Sequence, residues 1–120
     1  MHIMFDLAGT VLGALDMSLR PGIKETISAL RERGVKVNFW TNGPVDYYKH
    51  ILKEVGLDGD IYSKAKELPF KPDICVDDEP NERMPGRIYK VKMHASDVMP
   101  GERILTAELL CLDGQQFFWD

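Results

Sequence analysis

A chain of 120 residues with 44% apolar and 28% charged side chains is long enough for one ordinary domain, and it lies outside the compositions of disordered or fibrous polymers. The formal net charge of −4, with Lys and Arg scattered, argues against a nucleic-acid or anionic-membrane surface. Cys75 and Cys111 sit singly in apolar runs, as reduced thiols do, no apolar run reaches the ~20 residues of a membrane span, and no basic leader opens the chain, so a cytoplasmic location without a membrane partner is expected.

Residues 2–7 form a short apolar run ahead of Gly9, the pattern of a strand buried on both faces. From Pro21 onward, Ile23, Ile27 and Leu30 recur at helical spacing; Pro21 suits a first helical turn and Gly34 the position just past the end. Residues 35–40 read as a second strand ending on the turn signal Thr41-Asn42-Gly43. A second helix carries Tyr48, Ile51, Leu52 and Val55 on one stripe and stops at Gly56. Residues 60–63, 74–76 and 88–93 read as three further strands. Beyond Met93 the period fades: residues 104–111 suit helix or strand, and Asp113-Gly114 suits the turn of a terminal hairpin.

Strand and helix alternating in this order predict an α/β fold, a Rossmann-like three-layer sandwich with a mainly parallel sheet, spanning residues 1–120 as a single domain. In such sheets ligands bind beyond the carboxyl ends of the strands. Asp6, Thr41 and the pair Asp77-Asp78 each end a predicted strand, so three polar signals converge on one rim.

The segments Phe5-Asp6-Leu7-Ala8-Gly9-Thr10, Arg20-Pro21-Gly22, Trp40-Thr41-Asn42-Gly43 and Val76-Asp77-Asp78-Glu79-Pro80 together resemble the haloacid-dehalogenase-like hydrolase superfamily over about residues 2–80. The resemblance implies phosphoryl transfer through an aspartyl-phosphate, a Rossmann-like fold and Mg²⁺.

On that reading Asp6 is the catalytic nucleophile, and a hard divalent ion offsets its repulsion from an anionic phosphoryl group. Asp6, the Ala8 carbonyl, Asp77 and Asp78 are the implied metal ligands. Each has a plainer alternative: Asp6 as a turn cap before Gly9, and Asp77-Asp78 as an Asx turn or helix cap. Thr41 resembles the residue whose hydroxyl binds phosphate with neighbouring N–H groups such as those of Asn42 and Gly43; the alternative is a helix N-cap. For the phosphate-binding lysine, Lys71-Pro72 imitates the Lys-Pro of many relatives. It precedes a strand, however, and roughly 20 Å of extended chain would put it on the opposite rim. Lys66 and then Lys64 follow the third strand and emerge on the correct rim, with solvated surface lysines as the alternative.

Most phosphatases of the superfamily carry a second aspartate two residues after the nucleophile, as general acid and base, and here Ala8 stands there. General acid–base catalysis contributes about 10² to 10⁴ in rate, so slow release of poor leaving groups is expected. Asp-x-Ala-Gly-Thr also resembles phosphonoacetaldehyde hydrolases, whose Schiff-base lysine lies in a cap. Residues 11–20 and 44–59 are too short to insert one, so closure falls to another subunit of a homo-oligomer or to a large phosphorylated substrate. The readings are therefore a slow Mg²⁺-dependent phosphohydrolase, or a weakened phosphate- and metal-binding module acting through a protein partner, with the aromatic residues 117–119 as its contact or as core. A receiver-like phosphoacceptor would need an acidic pair after the first strand, and it leaves Thr41-Asn42-Gly43 without a role.

Overall fold

The computed structural model describes residues 1–99 together with 103, 104 and 109. The expectations for residues 104–111 as one element, for the Asp113-Gly114 hairpin and for the contact at 117–119 lie outside the described residues.

Five strands and two helices follow one another as β1 (His2–Asp6), α1 (Ile23–Glu32), β2 (Lys36–Thr41), α2 (Val45–Val55), β3 (Ile61–Ser63), β4 (Ile74–Asp77) and β5 (Arg87–Lys90). The strands form one sheet in the order β3-β2-β1-β4-β5, and every neighbouring pair is parallel. This is the expected Rossmann-like α/β architecture. The chain steps outward from β1 to β3 through the two helices, then returns to the other flank of β1. That reversal makes the carboxyl ends of β1 and β4 the topological switch point, where a crevice opens.

Strand alternation assigns the two faces. Ile3 and Phe5 of β1, Val37 and Phe39 of β2, Ile61 of β3, and Ile74 and Val76 of β4 share the main core with Ile23, Ile27 and Leu30 of α1 and Tyr48 and Leu52 of α2. Both helices lie on this one face, as two crossovers of the same hand in the same direction require. The opposite parity, Met4, Trp40 and Cys75, forms a second, smaller core. Among the described residues its cover is supplied by Tyr62, by Leu68 and Phe70 from the β3–β4 connection, and by Met84 from the β4–β5 connection.

Most strand ends differ from the sequence pattern by one residue, and two boundaries differ for an identifiable structural reason. The helix α1 starts at Ile23, because Gly22 at its N-cap takes a left-handed conformation (φ 81°) that turns the chain just after Pro21. The last strand is shorter than the apolar pattern of residues 88–93. Its ladder ends where the Val91 N–H reaches the Asp77 carbonyl, and the chain then joins the loop after β1: the His94 N–H donates to the Gly9 carbonyl, and the Ala14 and Leu15 N–H groups donate to the carbonyls of His94 and Ala95.

That loop is held from inside by Arg20, which is 2% exposed. Its guanidinium donates to the carbonyls of Thr10 (2.6 Å), Gly9 (3.1 Å) and Lys92. A buried charge is retained where hydrogen bonds surround it, and here those bonds fix the turn that follows Asp6. No helix among the described residues is long and apolar enough to cross a membrane.

Candidate active site

The chemistry-bearing side chains stand where β1, β2, β3 and β4 end. Asp6 pairs in register with Trp40, which pairs with Tyr62, while Phe5 pairs with Val76. One residue further on, Asp6 and Asp77 therefore lie side by side. Both share the parity of Met4 and Cys75, so both carboxylates lean toward the smaller core's face. Both are buried, at 7% and 2% exposure.

Lys64 completes the pair. Tyr62 has that same parity, and Lys64, two residues on, projects toward the same side; its N–H is fixed by the Thr41 carbonyl at 2.9 Å. Its Nζ lies 2.9 Å from Asp6 Oδ1 and 2.9 Å from Asp77 Oδ2. Lys66, the first choice on sequence grounds, is elsewhere: a turn follows β3, closed by the Lys66 N–H on the Ser63 carbonyl. Its side chain is exposed and lines a neighbouring groove, as does Lys71, and neither lines the Asp6 cleft. The signal that favours Lys64 is strand parity running one residue past the last ladder pair.

Thr10 ties the rest together, although motif spacing alone assigns it no role. Its hydroxyl lies 3.2 Å from Asp6 Oδ2 and 3.1 Å from Asp78 Oδ1, and it accepts from the Asp78 N–H at 3.0 Å. Gly9 makes the approach feasible. It holds φ 91°, and a Cβ there would stand 2.6 Å from Asp78 Oδ2.

The plainer alternatives divide. Among the described residues the Asp6 carboxylate makes no turn-capping bond: the N–H groups of Thr10 and Val11 go to the carbonyls of Leu7 and Asp6, and the carboxylate meets Thr10 and Lys64. Thr41 is not the N-cap of α2, since Pro44 holds that position without a side-chain cap; the Thr41 hydroxyl accepts the Gly43 N–H at 3.0 Å. Asp77 does form an Asx turn, its Oδ1 accepting from the Glu79 N–H at 2.9 Å, while its Oδ2 faces Lys64. A structural turn and membership of the cluster coexist in one side chain.

A cleft of about 240 Å³ opens over this cluster, lined by Asp6, Ala8, Thr41, Asn42, Lys64 and Asp78, with Gly43, Tyr48, Asp77 and Glu79 closing it. Burial pushes the Asp6 carboxyl up to about 7, and the negative charge of Asp77 adds to that, although the Lys64 ammonium pulls the other way. Burial alone would depress the Lys64 ammonium, but its bonds to Asp6 and Asp77 outweigh that and raise it.

Asp6, Asp77 and Asp78 each offer an oxygen within 4.8 Å of the others, a donor set that could hold a metal ion. All three donors are hard carboxylate oxygens, the chemistry that suits Mg²⁺ or Ca²⁺ better than softer ions. One lysine ammonium against three carboxylates also leaves negative charge for a cation to balance. The residues therefore fit a divalent ion.

The buried Asp6 and Asp77, with Asp78 and Lys64, form a cluster at the switch point of the parallel sheet whose carboxylates could hold a metal ion. The sequence model of the haloacid dehalogenase-like hydrolases matches residues 1–81, and the chain belongs to that family. Its members typically use a metal ion, in keeping with the acidic cluster. Comparison with curated proteins and with solved structures gives no significant match.

Proposed function

We propose that the protein is a Mg²⁺-dependent phosphohydrolase working through an aspartyl-phosphate on Asp6. The observation that carries this reading is the convergence of Asp6, Lys64 and the Asp77-Asp78 pair on one rim, in a chain of this hydrolase family. Asp6 forms the bond to phosphorus as the ester P–O bond breaks and the leaving oxygen departs with the electron pair; water then attacks the same phosphorus, the bond to Asp6 breaks with its electron pair returning to the carboxylate, and inorganic phosphate leaves. Lys64 sits between Asp6 and Asp77, where its charge can meet the phosphoryl oxygens. The Thr41 hydroxyl accepts from Gly43, which leaves its own hydrogen to donate, and Asn42 and Gly43 line the same cleft. Asp6, Asp77, Asp78 and the Ala8 carbonyl would hold Mg²⁺, which offsets the repulsion between the carboxylate and its anionic target.

Ala8 lines the cleft with a methyl group and supplies no proton. Leaving groups must therefore depart unassisted, so aryl and acyl phosphates are the fitting substrates and sugar or nucleotide alcohols are released slowly. The same methyl favours a second reading, a phosphate- and metal-binding module with little turnover that acts through a partner. A phosphatase assay on p-nitrophenyl phosphate, acetyl phosphate and sugar and nucleotide monoesters separates them. With Mg²⁺, turnover of the first two is expected, falling to background in EDTA and in Asp6→Asn. Activity retained by Asp6→Asn would remove Asp6 as the nucleophile, and Mg²⁺ binding without any turnover would select the module.

A further inference from the structure

Beside the phosphate cleft lies a larger groove of about 750 Å³, within the range of sites that enclose small organic ligands. Asn42 and Lys64 line both, so the two adjoin. The groove runs over the face of the sheet that carries the smaller core, between the β3–β4 and β4–β5 connections. Trp40, Phe70 and Met84 give it apolar and aromatic walls. Phe70 is fixed by stacking on His2, with centroids 4.2 Å apart, and by an edge contact with Tyr62 at 5.6 Å, so one flat wall is held in place. The Trp40 indole is 6% exposed, and its N–H has no hydrogen-bond partner among the described residues.

The charge in the groove is mainly of one sign. Lys66, Lys71 and Arg83 line it and are exposed, whereas Glu67 is the only acid among its described lining residues. In a protein of net charge −4 this is a local reversal, set next to a site whose own cluster is acidic. These cations are too far along the groove to line the Asp6 cleft.

We propose that this groove binds the leaving group of the substrate, and that the substrate is a phosphate ester with a flat, ring-containing body and a second anionic group. The inference rests on the phosphohydrolase reading of the Asp6 cleft and adds the substrate class. The reacting phosphate sits at Asp6 and Lys64, the ring passes Asn42 to lie along Trp40 and Phe70, and the second anion meets Lys71 and Arg83. Arg recognises phosphate and carboxylate through a planar fork, and both cations act on groups remote from the reaction. Binding energy gathered away from the reacting bond can be realised in the transition state. That contribution matters most in a site where Ala8 replaces the usual acid.

The test is equilibrium binding by calorimetry to the Asp6→Asn protein with Mg²⁺, using naphthalene-2,6-diyl bisphosphate, in which the flat ring separates the two anions, glucose 1,6-bisphosphate and inorganic phosphate as probes. The naphthalene compound should bind at least about tenfold more tightly than the other two. Lys71→Glu with Arg83→Glu, both exposed positions that leave the core intact, should erase the advantage over inorganic phosphate. Equal binding of the naphthalene compound and inorganic phosphate would overturn the proposal, as would an advantage that survives the double substitution. Equal binding of the two bisphosphates would overturn the flat-body assignment. Turnover of p-nitrophenyl phosphate by the unmodified protein is read separately: groove binding without turnover would sink the phosphohydrolase reading alone, and turnover without groove preference would sink this inference alone.

Discussion

Asp6 and Ala8 sit two residues apart on the same turn and set opposite limits on the chemistry. Asp6 is buried beside another carboxylate, and its pKa is raised from its ordinary 3.8 to about 7. The folded chain therefore holds a proton that the unfolded chain releases. By linkage, this contribution favours the folded state at the acid end and is lost as pH rises from about 4 through about 7. In EDTA, urea midpoints of the native protein should fall over that window relative to Asp6→Asn, and parallel curves for the two proteins would contradict it. For Ala8, the space is already a methyl-lined position in the cleft. Ala8→Asp, which supplies both an acid for the leaving group and a base for the water that hydrolyses the aspartyl-phosphate, should raise kcat on poor leaving groups by about 10², and on p-nitrophenyl phosphate by less, through the second role alone. A uniform loss on all substrates would show that the missing proton donor is not the limitation. Residue type and spacing make Asp6, Thr41 and Asp77-Asp78 legible in the sequence. Lys64 ranks only second there, because the turn after β3 breaks the alternation that would otherwise carry Lys66 to the same side.

Among strands and loops, the site depends on strand ends being held in register and on two connections that lack helices. The β4–β5 connection enters β5 through Gly86, at φ 78°, where a Cβ would lie 2.5 Å from the Pro72 carbonyl oxygen and 2.6 Å from that of Asp73. Both obstructing atoms are backbone and cannot rotate away. Gly86→Ala should cost about 1–3 kcal/mol in urea denaturation, well beyond the effect of an exposed loop substitution. A change within about ±0.5 kcal/mol would show that β5 shifts freely. Both helices are legible from their apolar stripes and from the glycines at their ends. The cover of the smaller core is not, since Leu68, Phe70 and Met84 carry no period and are recruited by proximity to Met4, Trp40 and Cys75.

Folding of the entire chain brings carboxylates from sequence positions 6, 77 and 78 within 4.8 Å of one another. Such a cluster is a cost to the fold until a cation or a proton relieves it. Mg²⁺ at about 100 times its dissociation constant should stabilise the protein by about 2.7 kcal/mol, seen as a rise in Tm that EDTA reverses. In Asp78→Asn the rise should shrink, and an unchanged rise would place the ion elsewhere. Lys64 stands 58 positions from Asp6 and 13 from Asp77 in the chain, so no local pattern announces its partners. Its bonds to both exist only because β2 and β4 flank β1, with β3 beyond β2.

Periodicity, turn residues and crossover handedness are local properties of a chain, and they suffice for the alternation of strands and helices, the parallel sheet and the rim on which the polar residues gather. Long-range packing settles the rest: which lysine meets Asp6, that Thr10 bridges Asp6 and Asp78, that Arg20 is buried to hold the loop after β1, and that a cationic, aromatic groove adjoins the cleft. Each of these depends on which side chains from distant segments share a face, and the register of the sheet sets that.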